Sequence, residues 1–323
     1  MRFLRKAKEP GAENLDAEGA EGIGEERRRK IEGGALAHLE ADIHEAGGGW
    51  VSERIWRRRR EPSEGDRERR RGRVIAVTNQ KGGVGKSTTA VNLGAYMAME
   101  GGRVLLIDLD PQGNASSGLG VERRQITRCI YKALAEEVEL KDIALRTAVE
   151  RLWIVPSTIN LAGAEIELVS AMSRETRLKT AIAPIAGDYD YVFIDCPPSL
   201  GLLTINALTA AEEVLIPIQC EFYALEGLVL LMRTIQQVKA HLNPDLEING
   251  ILMTMYDART NLSRQVVDEV AKLYPDKIYK AIIPRSIRLS EAPSYGQPIA
   301  LYDGMSKGAL AYQELAKEVI ENG

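Results

Sequence analysis

The amino-acid sequence predicts an α/β fold: a mostly parallel, twisted sheet with helices on both faces. Three observations predict it. From Val74 onward, short runs rich in Val, Ile and Leu alternate with longer helical stretches, and strands buried on both faces read as continuous apolar runs. The first such run leads directly into a glycine-rich turn and then a helix. The chain has 323 residues, 45% of them hydrophobic, and a formal net charge of −4, an ordinary globular composition. Taken in order, the strand at 74–79 (V-I-A-V-T-N) precedes a helix at 86–100, and the strand at 103–108 (R-V-L-L-I-D) precedes one at 124–136. A strand at 152–156 leads to helices at 160–171 and 174–184, and the strand at 190–195 (D-Y-V-F-I-D) to a helix at 202–210. The strands at 213–218 (E-V-L-I-P-I), 248–254 (I-N-G-I-L-M-T) and 280–283 precede helices at 224–241, 262–273 and 306–320. No internal repeat and no second linker interrupts this alternation, so residues 74–323 are expected to form one α/β domain.

Residues 1–73 are a different kind of sequence. They carry 18 Lys+Arg and 16 Asp+Glu, whereas residues 74–323 carry 24 and 30 and net −6. Gly47 to Gly49, the run Arg57 to Arg60 and the Arg67 to Arg71 cluster interrupt any apolar face. Such a segment buries too little surface to offset its ordering entropy, and it is expected to be a disordered extension. Ten Arg against five acids in residues 51–73 make an electrostatic arm for nucleic acid the sharper reading. Three scattered cysteines (Cys129, Cys196, Cys220) with no C-x-x-C exclude a disulfide framework and a structural zinc site. No apolar run of about 18 residues and no apolar leader after the charged N-terminus is present, so neither a membrane span nor a secretory signal is expected, and the expected compartment is the cytoplasm.

The chemistry begins where the first strand ends, at Lys81-Gly82-Gly83-Val84-Gly85-Lys86-Ser87-Thr88. The Walker A pattern asks for glycine at position 80, where this chain has Gln80, so the match is to the deviant form K-G-G-x-G-K-[ST]. Its glycines allow a tight turn whose N–H groups converge with the following helix N-terminus on phosphates. Lys86 would neutralise β and γ oxygens, and the Ser87 hydroxyl would hold Mg²⁺. That context makes the fold P-loop NTPase-like. The second strand ends in Asp108-Leu109-Asp110-Pro111, which places carboxylates at the ligand-binding edge of the sheet. Alternating residues point to opposite faces, so the two acids have different tasks: Asp110 the attacking water, Asp108 a supporting place near the metal. Val192 to Ile194 closing on Asp195 is a Walker B pattern, with Asp195 meeting Mg²⁺. Cys196 has no histidine near it in sequence and is expected to pack. No N-K-x-D segment is present, which favours ATP over GTP.

These motifs, together with Gln219-Cys220-Glu221-Phe222-Tyr223-Ala224-Leu225-Glu226-Gly227, Thr254-Met255-Tyr256-Asp257-Ala258-Arg259-Thr260-Asn261, Ile283-Pro284-Arg285-Ser286 and Leu289 to Gly296, show that residues 74–323 resemble the ParA/Soj chromosome- and plasmid-partitioning ATPases. The resemblance implies a nucleotide-sandwich homodimer in which Lys81 reaches the partner's nucleotide. It implies that Met255, Pro284 and Arg285 lie near the adenine. It implies non-specific DNA binding by the ATP dimer on the nucleoid, and release when a ParB-type centromere-binding protein stimulates hydrolysis. Arg233, Lys239, Arg259, Arg264 and Lys272 are the candidate DNA contacts.

Two other readings compete, one from a relative and one from a different class. A MinD-like ATPase would need an amphipathic C-terminal membrane helix, whereas Tyr312 to Gly323 is acidic. A DNA-binding regulator with a vestigial ATPase is disfavoured by Lys86, Asp110 and Asp195. Residues 1–73 are too glycine-interrupted for an operator-binding helix-turn-helix. Removing that segment is expected to leave ATP hydrolysis intact; a truncated chain that no longer folds would show that the segment belongs to the domain.

Overall fold

The computed structural model describes residues 72–221 and 224–322. The expectations for residues 1–71, and the Phe222-Tyr223 part of the 219–227 segment, lie outside the described residues. In chain order the elements are β1 (Arg73–Val77), α1 (Lys86–Met99), β2 (Val104–Asp108), α2 (Asn114–Gly118), α3 (Ile130–Ala135), β3 (Leu145–Arg146), β4 (Leu152–Val155), α4 (Leu161–Glu167), α5 (Arg177–Ile182) and β5 (Tyr191–Asp195). Then follow α6 (Leu202–Ala210), β6 (Glu213–Gln219), α7 (Ala224–His241), β7 (Glu247–Tyr256), α8 (Asn261–Leu273), β8 (Ile278–Pro284), α9 (Ile287–Glu291), α10 (Ile299–Tyr302) and α11 (Lys307–Glu321). The sheet order is β3-β4-β2-β5-β1-β6-β7-β8. All pairs are parallel except β3 with β4.

The continuous apolar strands are explained by two cores. Val74 and Ala76 of β1, Leu105 and Ile107 of β2, and Val192 and Ile194 of β5 face one core, built with α3 to α8. Their alternates Ile75, Val77, Val104, Leu106 and Phe193 face the other, built with α1 and α11. Every one of these side chains is buried, and each of them larger than alanine contributes about 1.5–3 kcal/mol relative to exposure. The second core contains a polar tie: the Thr89 hydroxyl on α1 and the Tyr312 hydroxyl on α11 are 3.1 Å apart.

The structure departs from the predicted elements at particular points. Arg73 belongs to β1, where its guanidinium holds both oxygens of Glu213 (3.1 and 2.8 Å) and donates to the Val319 carbonyl (3.0 Å); a truncation that spares the sheet therefore stops before Gly72. The helix predicted at 124–136 begins at Ile130. Cys129 is extended (φ −140°, ψ 175°), and the Ile130 N–H bonds the Pro156 carbonyl (2.9 Å), so a tertiary bond overrides propensity. The sequence left residues 284–305 without regular structure, yet α9 and α10 form there; α10 packs on α1, and the Ala292–Tyr295 turn between the two helices packs on α2. Their anchor is a close approach of two glycines: a Cβ on Gly296 (φ +65°) would lie 2.7 Å from the Gly120 Cα, and Gly120 is itself at φ +79°. Gly296→Ala is expected to cost about 1–3 kcal/mol, since both the contact and the left-handed backbone resist it. Urea unfolding measures this, and an unchanged midpoint would contradict it.

Candidate nucleotide site at the carboxyl edge of the sheet

The ends of β1, β2, β5, β6, β7 and β8 meet at one edge of the sheet. The chain leaves β1 through Thr78 to Gly85, and this loop is braced from neighbouring strands. The Asn79 amide donates to the Pro217 carbonyl (2.8 Å) and its oxygen accepts the Lys81 N–H (3.0 Å). The Gln80 amide reaches the Gly227 carbonyl (3.4 Å), and the Thr254 hydroxyl donates to the Val84 carbonyl (2.9 Å). Gly83 and Gly85 are left-handed, at φ +76° and +90°, a conformation glycine adopts without strain. Gly85 caps α1 with no side-chain hydrogen bond, and the first turn carries no acid. The helix N–H groups are therefore available to an anion. Lys86 opens the helix, is 6% exposed, and donates from Nζ to the Lys81 carbonyl (3.1 Å). Burial lowers its pKa, and Asp195 and Asp110 oppose that fall.

Asp108 and Asp195 are cross-strand partners on β2 and β5, and both are fully buried. They solve burial in opposite ways. Asp108 Oδ2 accepts from the Ser116 N–H and hydroxyl (2.8 and 2.6 Å), and Oδ1 accepts from the Asp110 N–H (3.2 Å). Both Asp195 oxygens lack a hydrogen-bond partner, although Ser87 and Lys86 lie close enough to stabilise its charge. Burial pushes the Asp108 carboxyl up to about 6. Burial and the facing Asp108 push Asp195 well above the usual carboxylate range. Asp108, expected near the metal, is thus committed to holding the Asp110 turn, because the backbone and Ser116 take up both its oxygens. Asp110 Oδ1 accepts the Gln112 N–H (2.9 Å), and Oδ2 carries no hydrogen bond, which leaves one oxygen for a water. Arg123, which the sequence did not single out, holds the same turn from outside through the Gln112 carbonyl and the Ser117 hydroxyl (3.3 Å).

The residues fit a magnesium ion. An orphaned buried carboxylate next to a serine hydroxyl is a hard oxygen donor set. Among the described residues no cluster of three or more His, Cys, Asp or Glu could hold a metal, so the remaining ligands must come from the nucleotide and water, as is usual for Mg²⁺. Met255, Pro284 and Arg285, which the resemblance expects near the adenine, are brought together at the ends of β7 and β8. Tyr256 pairs with Pro284, the Arg285 N–H bonds the Tyr256 carbonyl (2.9 Å), and Met255 is left-handed (φ +52°) and exposed, a strained backbone of the kind that clusters at ligand sites.

The predicted DNA contacts lie on α7, α8 and the loop before α8, and most are paired. Lys239 bonds Glu247, Arg259 bonds Asp257 (2.8 Å), and Lys272 bonds Glu269 (2.7 Å). Arg264 donates to the Ala258 carbonyl (3.3 Å), and Arg233 is exposed on α7. Cys196 is buried in the first core, and burial pushes its thiol pKa far up, so it packs. A cavity of about 580 Å³ lies between α3 and α4, lined by Ile126, Cys129, Tyr131, Thr158 and Glu167 among others; none of the site residues predicted from sequence lines it.

Comparison with known proteins places these features. A family model described as an AAA domain matches residues 72–248. The sporulation initiation inhibitor protein Soj of Bacillus subtilis is 60% identical over 252 residues, covering 78% of this chain and 100% of its own. The chromosome partitioning protein ParA of Myxococcus xanthus is 53% identical over 250 residues, covering 77% of this chain and 88% of its own. A solved structure of cobyrinic acid a,c-diamide synthase from Mycobacterium smegmatis, with ADP and magnesium bound, superposes with a TM-score of 0.69 at 42% identity, covering 77% of this chain and 94% of that one. The cell division ATPase MinD of Pyrococcus furiosus superposes with a TM-score of 0.66 at 25% identity, covering 78% and 100%.

The orphaned carboxylate sets an expectation for the nucleotide-free protein. Folded Asp108 and Asp195 both have pKa values above those of the unfolded chain. The native state therefore binds more protons above about pH 4, and stability falls as pH rises, up to about pH 6 for the part due to Asp108. Asp195→Asn is expected to raise the melting temperature at pH 7 by about 2–4 °C, since about 1 kcal/mol shifts a domain of this size by that much, and to flatten the fall. A lower melting temperature would show that Asp195 is satisfied without a ligand.

Proposed function

This chain belongs to the ParA/Soj family of chromosome-partitioning ATPases, and on that premise we propose that it is an ATP-switched DNA-partitioning protein. ATP closes two copies into a sandwich, the sandwich binds duplex DNA without sequence preference, and a ParB-type centromere-binding protein stimulates the hydrolysis that releases it. The observation that carries the reading is that buried Lys86, at an uncapped helix N-terminus, lies within electrostatic reach of the Asp195 carboxylate, whose oxygens make no hydrogen bond. Among the names of similar proteins, the partitioning relatives match at higher identity than the cobyrinic acid enzyme.

The residues divide the work as follows. Gly82, Gly83, Val84, Gly85 and Thr88 shape the loop and helix start that receive the phosphates, and Lys86 neutralises their β and γ oxygens. Ser87 and Asp195 hold Mg²⁺, which when bound supplies positive charge to the phosphate oxygens. Asp110 orients the attacking water through its unoccupied Oδ2, and Asp108 holds the Asp110 turn in place. Lys81 serves the nucleotide of the partner subunit. Met255, Pro284 and Arg285 border the base. Arg233, Lys239, Arg259, Arg264 and Lys272 contact DNA phosphates, for which a local patch is enough despite the acidic average. The protein acts in the cytoplasm on the nucleoid. The apolar face of α11 is used in the second core through Tyr312, Leu315 and Val319, which speaks against a MinD-like use of that helix on a membrane. Among the described residues no helix is long and apolar enough to span one.

The test is binding of the full chain to non-specific duplex DNA with ATP, with ADP and without nucleotide, at two salt concentrations. Binding that requires ATP and weakens with salt is expected; binding indifferent to nucleotide contradicts the switch. Lys86→Ala is expected to abolish ATP binding. Lys81→Ala is expected to leave monomers that bind ATP, and Asp110→Ala to leave an ATP dimer that stays on DNA. Persisting turnover in Asp110→Ala would move the water-positioning role elsewhere.

A further inference from the structure

The segment from Gln219 to Gly227 does more than brace the loop through the Gly227 carbonyl. Its acid, Glu221, follows β6 directly, and β6 pairs with β1. The Glu221 carboxylate is held at both oxygens. Lys81 Nζ donates to Oε2 at 2.6 Å, and the Gln219 side-chain amide donates to Oε1. Gln219 also fixes the Glu221 main chain, since the Glu221 N–H bonds the Gln219 carbonyl (2.8 Å). The main chain of Lys81 is fixed as well, by Asn79 at its N–H and Lys86 at its carbonyl. The one part of Lys81 free to change partner is its ammonium, and that ammonium is bound to a carboxylate of its own subunit.

We propose that Glu221 is the positioning residue for Lys81, holding the signature lysine on its own subunit until a partner's nucleotide takes it. This rests on the reading that Lys81 serves the partner's nucleotide. The ion pair is built to open: its side chains are 37% and 49% exposed, and exposed pairs contribute little and are readily exchanged. A phosphate chain is a stronger anion than one carboxylate, so it outcompetes Glu221 once the second subunit presents it. Lys81 cannot bring Glu221 along, because a carboxylate beside the phosphates would repel them. Glu221 therefore sets the nucleotide and protein concentrations at which two monomers close. A sandwich has two Lys81 residues, so each closure opens two such pairs and the effect is squared.

The experiment measures dimerisation of the full chain by sedimentation, with magnesium and a non-hydrolysable ATP analogue, for wild type, Glu221→Gln, Glu221→Asp, Lys81→Ala and the Glu221→Gln/Lys81→Ala double variant. Glu221→Gln is expected to tighten the dimer about tenfold, about threefold per subunit. Its melting temperature is expected to stay at the wild-type value, because the side chain packs in neither core. Glu221→Asp, which keeps the charge, is expected to stay within about threefold of wild type. In the Lys81→Ala background, which is expected to stay monomeric, Glu221→Gln is expected not to restore the dimer; restoration would show that it acts independently of Lys81. The gain is also expected to shrink in high salt. A dimer that is unchanged or weaker in Glu221→Gln, or an equal gain without Lys81, overturns the proposal. Wild-type dimerisation of Lys81→Ala alone overturns instead the cross-subunit reading beneath it.

Discussion

A carboxylate buried at zero exposure without a hydrogen-bond partner is the constraint around which this molecule is arranged. Asp195 ends β5, between β2 and β1. Burying a charge that lacks partners costs several kcal/mol, which a protein tolerates where function requires it. Asp195 sits where the cost can be offset, beside the Lys86 ammonium and the Ser87 hydroxyl, at the start of a helix whose N–H groups are uncapped. Its cross-strand neighbour Asp108 shows the alternative. The same residue type at the same register is satisfied by Ser116 and by the Asp110 backbone, and so it serves the architecture of the next loop. One carboxylate is left hungry for a cation and the other is not.

The phosphate loop is held in the same spirit, by long-range bonds from the strands that follow it. Asn79 to Pro217, Gln80 to Gly227 and Thr254 to Val84 tie the loop to β6, α7 and β7. Lys86 and Lys81 are both occupied by groups of their own chain. The loop thus rests in a self-satisfied form, and a nucleotide has to replace weak internal contacts of two lysines. On the proposed function, that exchange is what links phosphate binding to pairing of subunits.

Much of this was legible in the sequence, for physical reasons. Strands β1, β2, β5 and β6 face apolar cores on both sides, so their residues read as uninterrupted apolar runs. The loop of Lys86 and Ser87 was legible because a strand, a glycine turn and a helix are contiguous in the chain, and the place of Asp195 because an apolar strand closes on an acid. What escaped was held by contacts between distant residues. Helices α9 and α10 arise in a stretch that reads as a loop, residues 284–305, and are pinned by the Asn92 side-chain oxygen, which accepts the Ile299 N–H (2.6 Å), and by Gly120 against Gly296. The helix expected from 124 loses its first turns to the bond between Ile130 and Pro156. The Lys81–Glu221 pair joins residues 140 positions apart. The occupation of Asp108 by Ser116 depends on a short helix, α2, that the pattern did not signal.

On the proposed function, Asp195 is kept unpaired for a magnesium-bound nucleotide. Calorimetric titration of ATP into the full chain, once with magnesium and once with a chelator, tests it most directly. At least a tenfold gain in affinity from magnesium is predicted, about 1.4 kcal/mol or more. Equal affinity under the two conditions would contradict the account and leave the orphaned carboxylate without a purpose in nucleotide binding.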